Sequence, residues 1–391
     1  MDYDQGSLQL TNALKGFHGK FKKMYGQMAL RLDDATYLTT GGNKPLSDIT
    51  EDYYELCDIK SGDLGEIFRK RQDINAIVFG CSYDSVEASE SAEDIPVSLE
   101  DMAMISGATL KIIPDASPAN ILSAMDESGV CLIRGIGLIA ACDNLKKTVA
   151  AVQLAEKQCE AVNHGLILGG TKALSPEYAA VSRNSFLNDY TKRNEDDSVA
   201  FVGFDEDEFA LRNQLIEYGK DLVRKDLSYG SWGNLSVKLN DDEMLITPSS
   251  MDYFEIKIED IVRVNIHTLE YGDQRMPSSE APMHAAIYEK FSDASAIIHT
   301  HSNAISVFAA CHAGFAIEEP SLKELIGDVL LTRPAPAGSD ELAHVVCETL
   351  SDTHACVIPN HGALFYGPSL DVVFAIAEAV EMRARNLLHF N

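Results

Sequence analysis

The sequence predicts an α/β protein built from two tandem copies of one domain, each with a mainly antiparallel central sheet flanked by helices. Three observations carry this reading. The first is internal repetition in a fixed order. GQMALRLDDATYLTT (26–40) lies over GNLSVKLNDDEMLIT (233–247), and INAIVFGCS (74–82) over ASAIIHTHS (294–302). GVCLIRGIGLIAACDNLKKTVAAVQLAE (129–156) lies over HACVIPNHGALFYGPSLDVVFAIAEAVE (354–381). The second is periodicity. The first block of each copy reads as a Gly turn and two alternating strands around an Asp-Asp turn, and hairpins of that kind favour an antiparallel sheet. The third is the closing block, where a buried strand and a Gly turn lead into a helical pattern with apolar residues at 3.6 spacing. The copies span about 1–165 and 210–391, joined by a polar, acidic segment, 166–209.

Composition fits a multidomain protein. At 391 residues the chain exceeds one ordinary core, and 46% hydrophobic with 24% charged residues describes a globular protein. A formal charge of −28 argues against nucleic-acid binding, which needs a positive face. No apolar run approaches the roughly 20 residues of a membrane span. The start, MDYDQGSLQL, lacks the basic-then-apolar pattern of a signal peptide, so a cytoplasmic location is expected. The eight cysteines are scattered without a CxxC pair and read as buried thiols. The acidic runs NEDD (194–197) and DEDE (205–208) read as solvated linker.

The chemistry concentrates in the second copy. AIIHTHS (296–302) is an apolar strand carrying His299 and His301. Residues two apart in a strand share a face at about 6 to 7 Å, close enough to share one ion. Taken alone, such a pair is as easily structural as ligating. The repeat decides: His299, His301 and His361 become Phe79, Cys81 and Ile136 in the first copy. Three histidines lost together point to one shared purpose, a metal site. Glu280, in MPSSEAPMHAAIYEKF, opens an amphipathic helix, with Ser278 or Ser279 as its N-cap and Pro282 in its first turn. A first-turn carboxylate also has an ordinary explanation in the helix dipole. Three imidazoles and a carboxylate suit Zn²⁺, then Mn²⁺, Fe²⁺ or Co²⁺. Two hydroxyl-rich turns, TPSS (247–250) and Ser278-Ser279, are ready to hold phosphate without Lys or Arg, and Gly233-Asn234 forms another tight turn.

In GNLS, LITPSS, PSSEAPMH, HTHS and NHGAL, taken in order, the C-terminal half resembles the class II aldolase/adducin family, with its aldolase, epimerase and dehydratase branches. The resemblance implies that His299, His301 and His361 bind a catalytic metal, usually zinc. It implies that Glu280 is the acid/base that also approaches the metal, and that Asn234, Ser249, Ser250, Ser278 and Ser279 hold substrate phosphate. The N-terminal half resembles the same fold with its site erased. One family feature is missing. The aldolases carry a tyrosine downstream of the His-x-His that reaches into a neighbouring subunit's site, and FAIEEPSLKELIGDV (315–329) has none. The epimerase and dehydratase branches are similar in carrying an acid there, which points to Glu324, with Glu318 and Glu319 as competitors.

Family members are typically fourfold rings, so a tandem chain is expected to form a homodimer with a pseudo-fourfold ring. The reaching residue then comes from the first copy, where VSLEDMAM (97–104) aligns with PSLKELIG (320–327) and offers Glu100 or Asp101. The expected function is a metal-dependent lyase, working by aldol cleavage, decarboxylation or dehydration through a metal-stabilised enediolate. Its substrate is a small, phosphorylated hydroxycarbonyl compound. Sugar-phosphate 4-epimerisation and a non-catalytic, adducin-like scaffold are the alternatives.

Overall fold

The Asp-Asp turns begin both sheets. Asp33-Asp34 joins β1 (Tyr25–Arg31) to β2 (Thr36–Thr40), and Asp241-Asp242 joins β11 (Asn234–Lys238) to β12 (Glu243–Ile246), each an antiparallel hairpin. The structure is a computed structural model that describes residues 1–391 apart from 43, 126–127, 189–202, 273–274 and 390–391. The chain divides into two units. One comprises Met1–Asn163 with Ala173–Asn184, the other His164–Lys172 with Ser185–Asn391.

In the first unit the remaining strands are β3 (Lys44–Pro45), β4 (Tyr54–Asp58), β5 (Ala76–Cys81), β6 (Ile95–Pro96), β7 (Thr109–Leu110), β8 (Ile112–Ile113), β9 (Val130–Ile133) and β10 (Gly137–Cys142). Its helices are α1 (Tyr3–Leu14), α2 (Gly62–Lys70), α3 (Tyr83–Ser89), α4 (Glu100–Ser106), α5 (Pro118–Met125) and α6 (Leu145–Gly165), and α7 (Pro176–Asn188) starts within it. The main sheet runs β4-β2-β1-β5-β10-β9-β8, with β3 added to β1. The second unit adds β13 (Val262–Asn265), β14 (Ala296–Thr300), β15 (Leu330–Leu331), β16 (Ala355–Ile358) and β17 (Gly362–Gly367). Its helices are α8 (Glu206–Arg224), α9 (Ala281–Lys290), α10 (Asn303–Cys311), α11 (Pro320–Ile326), α12 (Asp340–Thr349) and α13 (Leu370–Leu387). Its sheet runs β13-β12-β11-β14-β17-β16-β15, the same order strand for strand. Pairing is antiparallel except at one edge, where β8 with β9 and β15 with β16 are parallel.

Helices cover both faces of the second unit's sheet, and strand alternation sorts the side chains between them. Leu235, Val237, Ile298, Ala363 and Phe365 pack with α8, α10 and α13. Ile297, Leu364 and Tyr366 pack on the other face with α9 and α12. His299, two residues after Ile297, therefore faces α9.

The segment read as linker is more structured than its composition implied. Asp205 caps α8 by accepting a hydrogen bond from the Glu208 amide at 2.8 Å, and Glu206, Asp207 and Glu208 occupy the first turn. DEDE is thus a helix start whose acids sit at the positive end of the dipole. Glu208 is buried against Arg212 and is not solvated. NEDD lies outside the described residues. All eight cysteines are free, five buried and Cys57, Cys81 and Cys142 only partly so.

Two glycines let the central strands close up. A Cβ at Gly362 would stand 2.2 Å from the Thr300 carbonyl oxygen, and one at Gly233 (φ 73°) 2.6 Å from the carbonyl oxygen of His299. Gly362→Ala must push β17 off β14. It is expected to cost about 2 to 3 kcal/mol, as overpacking against rigid backbone does, read as a lowered urea midpoint at unchanged slope.

Candidate active site

His299 is placed by backbone pairing. On β14 it lies directly across from Asn234 of β11 and Leu364 of β17. Its Nδ1 sits 2.9 Å from the Ala363 carbonyl oxygen, which can only accept. Nδ1 therefore carries the proton, and Nε2 presents its lone pair inward. Two further imidazoles converge on that atom: His301 Nε2 at 2.9 Å and His361 Nε2 at 3.0 Å. His301 follows the end of β14, while His361 precedes β17 and owes its position to Asn360. That residue adopts a left-handed backbone (φ 62°). Its amide donates to the Ala309 carbonyl, its Nδ2 to the Lys172 carbonyl, and its Oδ1 meets His312 Nε2 at 2.7 Å.

Glu280 faces the triad from the start of α9. Its carboxylate oxygens lie 3.3 Å from His299 Nε2 and 3.2 Å from His361 Nε2, and Asn234 Nδ2 donates to Oε2 at 2.7 Å. Burial pushes this carboxyl up. Positive charge on the facing His299 and His361 rings, helped by the Asn234 hydrogen bond, would outweigh that and hold it well below the usual carboxylate range. The helix begins one or two positions later than the Ser279 or Ser278 cap implies. Glu280 is itself the N-cap residue, and Ser278 Oγ accepts from its amide at 3.2 Å instead of capping the helix. Pro282, at the second position of the helix, offers no amide hydrogen to a side-chain cap from Glu280.

The two hydroxyl turns lie side by side. The Ser249 amide donates to the Met276 carbonyl and the Ser278 amide to the Thr247 carbonyl, with Pro248 bridged to Pro277. Ser249 and Ser278 are buried, and Ser250 takes a left-handed backbone (φ 64°) with its Oγ 3.2 Å from that of Ser249. Ser279 is exposed. The structure thus brings together His299, His301, His361, Glu280 and Asn234, with the serine turns adjoining through Ser278.

The acids expected to complete a neighbouring subunit's site have the following surroundings within their own units. Glu324 is exposed on α11. Glu319 caps that helix, accepting from the Ser321 and Leu322 amides, and Glu318 pairs with Arg383 at 2.9 Å. In the first unit Asp101 is 2% exposed and ion-paired with Lys157, and Glu100 accepts from Tyr178 Oη at 2.9 Å.

Sequence reasoning passed over His284, although it lies in the quoted PSSEAPMH stretch. One helical turn after Glu280, it shares that residue's face. It is fully buried, with Nδ1 2.7 Å from Ser236 Oγ, which also meets Tyr288 Oη at 2.7 Å. The (i, i+4) spacing from Glu280 was the available signal.

Nitrogen atoms this close need something positive between them, and three imidazoles with one carboxylate form a four-coordinate zinc donor set. The residues therefore fit a metal ion. A model of the class II aldolase and adducin N-terminal domain matches the chain twice, over residues 10–162 and 213–388. The chain belongs to that family. Among relatives of this class II aldolase family chain, 5-deoxy-D-ribulose 1-phosphate aldolase of Bacillus thuringiensis is 31% identical over 44% of the chain and 82% of its own length. L-fuculose phosphate aldolase of Haemophilus influenzae is 31% identical over 44% and 80%. The 3-oxo-tetronate 4-phosphate decarboxylase of the same organism is 26% identical over 42% and 80%.

Burial pushes His284 down to about 3, against the opposing pull of Glu280. Between that value and the ordinary 6.5, the unfolded chain binds a proton that the folded chain refuses, so stability is full above pH 6.5 and falls as the pH drops. Urea unfolding of His284→Gln between pH 4 and 6 is expected to lose about 1.4 kcal/mol per pH unit from the wild-type slope. An unchanged slope would contradict a buried neutral imidazole.

Proposed function

We propose that the second unit is a metal-dependent lyase acting on a small, phosphorylated hydroxycarbonyl compound. Aldol-type carbon–carbon cleavage is the primary reaction, with decarboxylation or dehydration as variants of the same proton chemistry. The observation that carries this reading is the convergence of three imidazole Nε2 atoms opposite a carboxylate that is itself held by Asn234. Phosphosugar aldolases and a phosphate-ester decarboxylase among the relatives support it. A scaffold of the adducin kind has no use for such a centre, and a 4-epimerase finds no specific support in the geometry.

His299, His301 and His361 would hold the metal, with Zn²⁺ the best fit and Mn²⁺, Fe²⁺ or Co²⁺ as substitutes. When bound, the ion supplies a Lewis acid that draws electron density from a carbonyl and its neighbouring hydroxyl. The chain does the rest. Glu280 is ionised and within reach of the same space, so it takes and returns the proton. Asn234 Nδ2 occupies Oε2 and leaves Oε1 as the atom that does so. Ser249, Ser250, Ser278 and Ser279 hold the phosphate through hydroxyls and amides. Among the acids expected to complete the site, exposed Glu324 fits better than Asp101, whose carboxylate is committed to Lys157. The first unit keeps the fold and serves assembly, in a homodimer that places it beside a working site.

Protein purified without added metal is expected to contain about one zinc per chain, lost in His299→Ala. Glu280→Gln should keep the metal and lower kcat by about 10²- to 10⁴-fold on a ketose 1-phosphate, the usual range for a general acid–base group. Metal that survives His299→Ala would overturn the assignment of the triad. Undiminished turnover in Glu280→Gln would overturn that of the base.

A further inference from the structure

The first unit lost its histidines but carries a second cluster of ligand-type side chains, at a different place in the fold. Asp84 lies in the first turn of α3, and Glu156 and Glu160 lie one turn apart on α6. Each offers a carboxylate oxygen within 4.8 Å of the others. Glu156 is only 4% exposed, and its Oε2 has no hydrogen-bond partner among the described residues. Lys20 Nζ donates to Glu160 Oε2 at 2.7 Å, and Asn163 Nδ2 to Asp84 Oδ1 at 3.0 Å. Three acids thus crowd a largely buried place beside Lys20, where burial and the nearby Glu160 push Glu156 up to about 8.

The second unit shows what the position ordinarily needs. The repeat aligns Glu156 with Glu381, Asp84 with Ala304 and Glu160 with Arg385. Glu381 is fully used: it accepts from Ser302 Oγ at 2.7 Å and from the Ala304 and Ile305 amides at 3.0 and 3.2 Å. Arg385 adds a favourable charge nearby. In the first unit the arginine has become an acid, the alanine a second acid, and the retained glutamate has an idle oxygen. Like charges one helical turn apart repel, and more so where water is excluded. A lone structural carboxylate needed neither new acid.

We propose that Asp84, Glu156 and Glu160 bind one hard divalent cation of the calcium class. An all-oxygen donor set selects Ca²⁺, Mg²⁺ or Mn²⁺ over zinc, with water completing the shell. The ion replaces the charge that Arg385 supplies in the other copy and fixes α3 to α6 within the first unit. This site is independent of the histidine centre.

The test is a calorimetric titration of Ca²⁺ into the chelator-treated full chain in about 0.15 M KCl, where diffuse attraction to the acidic surface is screened. One saturable site per chain is expected, weakened at least tenfold in Asp84→Asn and in Glu160→Gln and unchanged in His299→Ala. Ca²⁺ should also raise the unfolding temperature of the wild type but not of Asp84→Asn. No saturable uptake by the wild type would overturn the proposal without recourse to any variant. Uptake that both acid substitutions leave intact, or that His299→Ala abolishes, would overturn it as well.

Discussion

The close approach of β11, β14 and β17 is the constraint on which the site depends. Hydrogen-bonded antiparallel strands bring opposite residues within about 5.5 Å, and here that rule places Asn234 against His299 with Leu364 on the other side. The Ala363 carbonyl then fixes the His299 tautomer, and Asn234 fixes one oxygen of Glu280. Side chains larger than hydrogen at 233 and 362 would open this spacing. The precision of the centre is therefore a property of the sheet, inherited by the side chains.

The first unit shows how little of this the fold itself requires. Gln27 lies opposite Phe79 just as Asn234 lies opposite His299, and a Cβ at Gly26 would stand 2.0 Å from the Phe79 carbonyl oxygen. The strand spacing has outlived the histidines. Phe79 packs against an apolar cluster that includes Ile77 and Ile139, so replacement turned a position with polar demands into one that is satisfied by contact alone. Three buried imidazoles contribute nothing that the sheet cannot obtain from apolar residues, and their retention in one copy has to be explained by chemistry.

Much of this was legible in the sequence. The repeat and the Asp-Asp hairpins foretold two antiparallel sheets because alternation and turn chemistry are local, and the histidines stood out because the other copy lacked them. What the sequence concealed depends on three-dimensional context. DEDE looked like linker because composition does not distinguish a solvated acid run from a helix N-terminus. His284 and Asn360 were passed over because one acts through a serine on a distant strand and the other through α10. Asp101 carries the acidic pattern expected of a reaching residue, yet its burial against Lys157 arises from α6, more than fifty positions away.

Charge closes the account of the second unit. The chain is strongly acidic, and an anionic substrate approaching it meets a repulsive field that salt reduces but does not reverse. Three neutral imidazoles and one carboxylate amount to −1. A divalent ion among them makes the centre +1, buried where the surroundings screen it least. The serine turns beside it add oriented hydroxyls and amides without adding net charge. His284, kept neutral by burial, adds none either. On the proposed reading the ion is then what turns a locally repulsive centre into an attractive one. Substrate affinity and metal occupancy are then coupled through that one charge, whereas added salt screens the acidic surface far more than the buried centre, so KM for an anionic substrate should fall as ionic strength rises.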